Sequence, residues 1–485
     1  MMTKFTKIIA TISDKKCDVD FIRQLYNEGM NVVRMNSAHL NRDGFLKIIN
    51  NVRSVSRDIA LLIDTKGPEV RTTITKNETI DLHRGDIIKI TGNPQLISNK
   101  ECIAVSYPFF VRDLNVGDDI LLDDGEIELK VEDKDEQYLY CKVLNDGILG
   151  SRKSVNVPGV RMNLPSLTER DRENILFAIE NDLDFIAHSF VRNKQDILDI
   201  QQILDEHNSP IKIISKIENQ EGVDNIEEIL EYTYGVMIAR GDLGIEVPQE
   251  KIPGIQRLLI RKCVMAKKPV IVATQMLHSM INNPRPTRAE VTDVANAIYY
   301  RTDALMLSGE TANGKYPVEA VRTMSRIIEE AEKTKLIEND IPIPMTNLDV
   351  TSFLANAAVE ACSKLDIKAI ITDVYTGRTA RNLAAYRGTK PVYAICYYER
   401  LTRVLALSYG IFPHYQKETS SSQEYLIQAL KDLLDKKLLN EEDNICYLSG
   451  SLGEGHGTTF LEINQIKKIF EAGNNYSLLN FLKEI

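Results

Sequence analysis

The chain alternates between short, densely apolar runs and longer segments in which apolar positions recur every three or four residues. Eight runs stand out: Lys7–Ile12, Asn31–Met35, Ile59–Ile63, Asp184–His188, Ile211–Ile217, Gly235–Arg240, Pro269–Thr274 and Asp303–Ser308. They are apolar at consecutive positions and rich in β-branched residues. Strands buried on both faces of a parallel sheet read this way, whereas a half-exposed strand alternates. The segments between them have helical periodicity. In Asp18–Gly29, for example, Phe21, Ile22, Leu25 and Tyr26 share a face, and Gly29 is placed to end the helix. Most runs begin roughly 20–30 residues apart, the spacing of βα units. One interval is far longer, the 120 residues from Asp64 to Asp184. Eight strands with one interruption predict a (β/α)₈ barrel with a domain inserted after strand three. An open doubly wound sheet satisfies the same count, because strand number does not prove closure.

The interruption has a different rhythm. Glu126–Glu132 and Tyr138–Val143 alternate in period two, and Arg84-Gly85-Asp86, Val116-Gly117-Asp118 and Asp124-Gly125 supply turns. These features predict a small all-β barrel, set on a βα loop where it can act as a lid. Past Asp340 the stretch IPIPM resembles a linker. A helix follows with Leu354, Ala357, Ala358, Ala361 and Cys362 on one face, and then strand-like runs at Ala369–Val374, Pro391–Cys396 and Asn444–Ser449. The expected division is therefore a barrel from residues 1–68 and 165–340, a β insertion over 69–164, and an α/β domain over 341–485.

Composition narrows the function. A net charge of −10 argues against general binding to nucleic acid or anionic membranes. An anionic substrate must then be met by a local basic patch. Seven scattered cysteines with no C-x-x-C pair read as buried free thiols in a reducing, cytoplasmic setting. No run of 18 apolar residues is present, so no membrane span is expected.

Catalytic groups of such barrels project from the C-terminal strand ends. Those ends carry Arg34 and Asn36; Asp64, Thr65 and Lys66; Lys216 and Glu218; Arg240, Gly241 and Asp242; Thr274 and Gln275; and Ser308 and Glu310. Two carboxylates on adjacent strands, Glu218 and Asp242, suit a hard divalent cation that takes its other oxygens from substrate and water. They suit ion pairs with Lys216 or Arg240 equally well. Lys216 interrupts a buried run, where a lysine is costly unless paired or functional. Phosphate binding, a Schiff base and charge stabilisation are all open to it. Arg34 and Arg71 add positive charge for a phosphate or carboxylate. The glycines of Arg240–Gly244 allow backbone N–H groups to approach an anion, although structural turns have the same composition. His39 reads as a loop histidine.

Several segments resemble the pyruvate kinase family in sequence and order: Asp64–Arg71 (DTKGPEVR), Ile213–Val223 (IISKIENQEGV), Ile238–Glu246 (IARGDLGIE), Ala273–Met276 (ATQM), Pro286–Ala297 (PTRAEVTDVANA), Met306–Ala312 (MLSGETA) and Lys315–Val318 (KYPV). The resemblance spans essentially the whole chain. It implies transfer of a phosphoryl group from phosphoenolpyruvate to ADP, giving ATP and pyruvate, in a homotetramer. It further implies Mg²⁺ or Mn²⁺ on Glu218 and Asp242, and K⁺ on Asn36, Asp64 and the Thr65 carbonyl. Lys216 would stabilise the transferring phosphoryl group and the enolate, with Arg34 and Arg71 on phosphoryl oxygens. Gly241, Asp242 and Thr274 would surround the substrate carboxylate. Asn36, His39, Arg71 and Lys153 would hold the nucleotide, and Ser308 and Glu310 would handle water and protons.

The chain departs from the family pattern at several positions. Ala38 replaces a serine whose hydroxyl would contact K⁺, although Glu69 keeps the K⁺-dependent pattern. Ser13-Asp14 stand where Gly-Pro is common, His278 where glutamate is usual, and Tyr300-Arg301 where Asp-Gly is common. Val374–Arg381 (VYTGRTAR) and Gly450–Thr459 (GSLGEGHGTT) resemble loops that take a sugar-phosphate or nucleotide effector. Thr376, Gly377, Arg378 and Thr379 are the expected phosphate cradle, with a closed structural turn as the alternative. Two rival readings bracket the assignment. A metal-dependent lyase or aldolase would need no Lys153 and no lid, and an inactive regulatory relative would not need Lys216, Glu218, Asp242 and Thr274 intact.

Overall fold

The computed structural model describes residues 4–334, 349–419, 421–450 and 457–472. All eight apolar runs form parallel strands: Lys7–Thr11, Val32–Asn36, Ala60–Asp64, Phe185–His188, Lys212–Ile217, Gly235–Ala239, Val270–Ala273 and Ala304–Leu307. Each pairs with the next, and the first closes on the eighth with Lys7 opposite Ala304, so the sheet is a closed barrel and not an open one.

Closure explains why the runs do not alternate. Ile9, Val32, Leu62, Phe185, Ile214, Met237, Ile271 and Met306 point into the barrel and pack on one another. Their neighbours Ile8, Val33, Leu61, Ile186, Ile213, Val236, Val270 and Leu305 pack outward against the ring of helices. Both sets are desolvated, so both must be apolar. The helices end where the sequence signals them. Asp18 caps Val19–Asn27 by accepting the Phe21 N–H, and Gly29 follows at φ +107.

The strands inserted after Asp64 form two sheets around one core. Thr79–Leu82 pairs with Gly147–Gly150, and six strands run in the order Val155–Asn156, Asp119–Leu122, Ile127–Lys134, Leu139–Val143, Ile87–Thr91, Cys102–Ala104. Ile80, Leu82 and Leu149 from the pair pack with Ile88, Ile120, Leu129 and Val143 from the larger sheet.

The C-terminal sheet has five strands. Ile411–Tyr415, Val392–Cys396, Ala369–Val374 and Asn444–Ser449 lie side by side in parallel, and Phe460–Gln465 adds antiparallel at the far edge. The helix before it is Val350–Lys364, which buries Ala355, Ala358 and Cys362. The IPIPM stretch lies outside the described residues. This sheet docks on the N-terminal end of the barrel, where Ala406 and Leu407 join the barrel's inner core. Arg403 Nε meets Asp184 at 2.6 Å and Arg387 meets Asp303 at 2.7 Å, both at strand starts. All seven cysteines are free, and among the described residues no helix is long and apolar enough to cross a membrane.

Candidate active site

The opposite, C-terminal end of the barrel gathers charge. Lys216 leaves strand five with only 8% of its surface exposed. Its Nζ lies 2.9 Å from Glu218 Oε1, 3.1 Å from Asp64 Oδ1 and 2.7 Å from Ser189 Oγ. Arg34 donates through Nε to Asp64 Oδ2 (2.7 Å) and through Nη1 to Thr11 Oγ1 (3.1 Å). Asp64 thus bridges the two cations. Burial would push its carboxyl up, but Arg34 and Lys216 outweigh that and hold it below the ordinary range. Burial would likewise strip the Lys216 amine of its proton. Asp64 and Glu218 prevent this and hold the amine charged, above its usual range.

Glu218 is fully buried and receives the Phe190 N–H on Oε2 at 2.7 Å. Burial raises its carboxyl to about 8, with Lys216 opposing the rise and the negative charges of Asp242 and Asp64 adding to it. Asp242 sits in the short helix Arg240–Glu246 and takes no hydrogen bond or ion pair among the described residues. The group therefore holds two cations, Arg34 and Lys216, against three carboxylates, Asp64, Glu218 and Asp242. A divalent cation at Glu218 and Asp242 would supply the missing positive charge and displace the proton that burial favours on Glu218. No three His, Cys, Asp or Glu side chains cluster as a complete cage among the described residues. Two carboxylates completed by substrate and water oxygens is the arrangement Mg²⁺ favours. Of the two ion pairs open to these carboxylates, the Lys216–Glu218 pair forms. Arg240 instead reaches Asp293 (2.7 Å) and the Thr274 carbonyl (2.8 Å).

Thr274 and Gln275 end strand seven in succession at φ +65 and +56. For a β-branched residue this is a strained conformation, costing about 1–3 kcal/mol, and it persists only where surroundings enforce it. The enforcement is visible: Thr274 Oγ1 accepts the Gly241 N–H at 2.8 Å and donates to the Ala273 carbonyl at 2.7 Å. At strand eight, Glu310 is buried and accepts N–H groups from Ser308 (2.8 Å) and Leu277 (3.2 Å), while the Ser308 hydroxyl is buried without a partner.

The oxygens expected to hold a monovalent cation lie together and are already engaged. Asn36 Oδ1 accepts the Ala38 N–H at 3.1 Å, the Thr65 carbonyl accepts Ser189 Oγ at 2.6 Å, and Asp64 is bound as described. Beside them the Ser37 hydroxyl is buried and unpartnered, next to the hydroxyl that Ala38 lacks. These are hard oxygen donors with one carboxylate, a set that fits a monovalent cation.

Three expected contacts stand apart from the cluster. Arg71 is tied to Glu69 (2.6 Å) and the Arg152 carbonyl (2.8 Å). Lys153 pairs with Asp123 at 2.6 Å, and His39 is exposed on its loop. Arg71 and Asp242 nevertheless line one cleft of about 300 Å³ between the barrel end and the inserted sheets. Asp242, Gly241 and Gln275 line a second cleft of about 750 Å³. Neither cleft is lined by Lys216 or Glu218, so Asp242 is the point where open space meets the buried charges. Asn156 of the insertion reaches Glu246 of the barrel at 3.3 Å.

Ser189 and His188 were not anticipated. Ser189 is the hydroxyl on which Lys216 and the Thr65 carbonyl converge, and His188 Nδ1 lies 3.5 Å from Thr65 Oγ1. The signal was present, since both end strand four within DFIAHSF, but that strand end carries no charged residue. Of the effector residues, Gly377 adopts φ +79 ahead of the helix Arg378–Tyr386, Arg378 bonds Asp349 (2.8 Å) and Thr379 bonds Thr458 (2.6 Å). Thr376 is exposed. Most of the facing loop, residues 451–456, lies outside the described residues.

A closed βα barrel whose strand ends hold paired ammonium, guanidinium and carboxylate groups beside an inserted β domain defines a barrel enzyme equipped for an anionic substrate. Comparison with known proteins makes this specific. Residues 3–321 match the family model "Pyruvate kinase, barrel domain", and residues 352–463 match "Pyruvate kinase, alpha/beta domain". The chain is 44% identical over 479 residues to a pyruvate kinase of Borreliella burgdorferi, covering 98% of this chain and all of the relative. It is 43% identical over 483 residues to that of Geobacillus stearothermophilus, covering 97% of this chain and 82% of the relative. A solved pyruvate kinase from Cryptosporidium parvum superposes with a TM-score of 0.90 at 35% identity, covering 96% of each chain. The chain belongs to the pyruvate kinase family, and is a phosphotransferase of that family.

Proposed function

We propose that the chain transfers the phosphoryl group of phosphoenolpyruvate to ADP, giving ATP and pyruvate, at the end of the barrel marked by Lys216, Glu218 and Asp242. The observation that carries this reading is Lys216, a buried ammonium kept charged by Asp64 and Glu218 beside an unpartnered Asp242. Phosphoryl transfer is chiefly positioning plus neutralisation of oxygen charge. Lys216 and Arg34 supply fixed positive charge to the transferring group, and Lys216 to the enolate oxygen that transfer uncovers. Asp64 holds both cations in place and thereby prepays their orientation. The strained turn at Thr274, with the Gly241 N–H beside it, receives the substrate carboxylate and puts the Thr274 hydroxyl near the carbon that gains a proton. Ser308 and Glu310 relay that proton through water. Arg71, Asn36, His39 and Lys153 contact the nucleotide, which requires Arg71 and Lys153 to exchange Glu69 and Asp123 for phosphate.

Glu218 and Asp242 would hold Mg²⁺ or Mn²⁺, which when bound neutralises phosphoryl and enolate oxygens. Asn36, Asp64 and the Thr65 carbonyl would hold K⁺, with the Ser37 hydroxyl as the nearest substitute for the one absent at Ala38. The C-terminal loop Thr376–Thr379 lies at the carboxyl end of the sheet, where the chain order reverses between Ala369–Val374 and Asn444–Ser449. Open α/β sheets bind ligands at such a point, so we assign a sugar-phosphate or nucleotide effector there. The enzyme is expected to be a cytoplasmic homotetramer, with domains at 1–68 with 165–340, 69–164 and 341–485. Purified chain given phosphoenolpyruvate, ADP and Mg²⁺ should form ATP and pyruvate one to one, faster in K⁺ than in Li⁺. Absence of ATP would overturn the reaction, and indifference to K⁺ would overturn the monovalent site alone.

A further inference from the structure

Strands three and four are locked together at the catalytic end of the barrel. Thr65, just past strand three, makes three hydrogen bonds to the end of strand four. Its N–H donates to the Ala187 carbonyl at 2.9 Å, its hydroxyl accepts the Ser189 N–H at 3.0 Å, and its carbonyl accepts the Ser189 hydroxyl at 2.6 Å. Both residues are buried, so water does not compete for these bonds. A serine hydroxyl has one proton, and the 2.6 Å bond to Thr65 commits it; Asp64 Oδ1, at 3.3 Å, is the longer alternative. The direction of the Ser189 lone pairs is thereby set. One of them accepts Lys216 Nζ at 2.7 Å, the shortest of the ammonium's three contacts.

The three N–H groups of Lys216 are all engaged, by Glu218, Asp64 and Ser189. Contact with a phosphoryl oxygen must release one of them. Glu218 is the partner assigned to the divalent cation, and Asp64 is shared with Arg34. Ser189 is the neutral partner and serves no second cation. A lysine on a flexible four-carbon stem is aimed by whatever holds its ammonium, and small misplacements at a reacting centre are costly in rate. The Thr65 carbonyl keeps a second lone pair, and it is one of the oxygens assigned to K⁺. A single hydroxyl therefore stands between the monovalent site and the ammonium.

We propose that Ser189 is a positioning residue that couples the Thr65 carbonyl, with the monovalent cation it receives, to the aim of the Lys216 ammonium. This rests on the reaction and the monovalent site put forward above. A cation that draws the Thr65 carbonyl also turns the Ser189 hydroxyl, and Lys216 follows. Ser215 provides the contrast. It precedes Lys216 on strand five and is equally buried, but its side chain faces the other way and its hydroxyl donates to Thr233 Oγ1 at 2.9 Å.

The test compares Ser189→Ala, Ser189→Cys and Ser215→Ala in the full chain, with Ser189→Ala also made on the Lys216→Met background. Cysteine fills the space but its sulfur is a weak hydrogen-bonding atom. Ser189→Ala and Ser189→Cys should lower kcat about 10- to 100-fold, the effect of one hydrogen bond to a charged group. The KM for phosphoenolpyruvate should stay within about twofold, because the aimed charge acts in the transition state. Ser215→Ala should keep the wild-type kcat. On the Lys216→Met background Ser189→Ala should cause no further loss, since no ammonium is left to aim. Independently of turnover, K⁺ in place of Li⁺ at fixed ionic strength should raise the unfolding temperature of wild type and Ser215→Ala, and that of Ser189→Ala less. Wild-type kcat in Ser189→Ala, an undiminished loss on the Lys216→Met background, or an equal K⁺ gain in Ser189→Ala and wild type each overturns the proposal and leaves the reaction standing. A wild type that forms no ATP overturns the reaction and this proposal with it. If Ser189→Ala does not fold, Ser189→Cys decides.

Discussion

Replacing Lys216 with methionine removes the charge while keeping most of the apolar stem in the barrel. The ammonium is lost from within 3.1 Å of Asp64, Glu218 and Ser189. Asp64 keeps Arg34, and Glu218 keeps the Phe190 N–H. The local balance changes from two cations against three carboxylates to one against three. Breaking a buried pair by removing one partner costs about 3–5 kcal/mol. Here Glu218 can take up a proton, since its carboxyl already stands at about 8, so the loss of stability should fall at or below the low end of that range. Catalysis has no such escape. A fixed charge aimed at developing oxyanion charge is worth roughly 3 kcal/mol, by analogy with oxyanion-hole donors. Each 1.36 kcal/mol is about a factor of ten in rate, so kcat should fall about 100-fold or more. The assay is steady-state ATP formation from phosphoenolpyruvate and ADP, with circular dichroism to confirm folding. A folded Lys216→Met enzyme within tenfold of the wild-type kcat would refute the role assigned to this ammonium.

Three further outcomes follow from the geometry. Thr287 and Glu290 form a capping box at helix Arg288–Tyr299, and Glu290 also receives the N–H and hydroxyl of Ser279. Thr287→Ala should therefore lower stability by about 1 kcal/mol in urea melts, with kcat unchanged. A Cβ on Gly222 would sit 2.5 Å from the Val191 carbonyl, just beyond Glu218, so Gly222→Ala should both destabilise the chain and weaken its affinity for Mn²⁺. Lys4 is buried, and burial followed by repulsion from Lys7 depresses its amine to about 7. Its folded value lies below the unfolded one, so its contribution to stability is full only above the unfolded pKa of about 10.4 and declines as pH falls towards 7. Wild type should gain on Lys4→Met by up to about 1 kcal/mol per pH unit between pH 7 and 9. A pH-independent difference between the two would refute this.

The barrel was legible because closure buries both faces of every strand, which leaves uninterrupted apolar runs such as Ile59–Ile63. Ile411–Tyr415 and Phe460–Gln465 were missed because each is an edge strand, largely half-exposed and carrying polar or proline residues. The short inserted strands Thr79–Leu82 and Gly147–Gly150 offer too few positions for a period to register. At the site, charge at strand ends marked Arg34, Asp64, Lys216 and Glu218, which the fold brings into direct contact. The same signal was silent for Ser189, an uncharged residue that becomes central only because Lys216 and the Thr65 carbonyl both converge on it. Sequence alone also left open whether Glu218 pairs with Lys216, two residues before it on the same strand end, because the spacing suits an ion pair and a metal ligand equally.

The central claim is that Glu218 and Asp242 form a net-negative pair waiting for a divalent cation beside a charged Lys216. Equilibrium titration with Mn²⁺, followed by electron paramagnetic resonance, tests it without requiring turnover. Wild type and the effector-loop variant Arg378→Gln should bind one equivalent with equal affinity. Glu218→Gln and Asp242→Asn should each weaken that binding by tenfold or more while remaining folded. Unchanged Mn²⁺ affinity in both carboxylate variants would contradict the account.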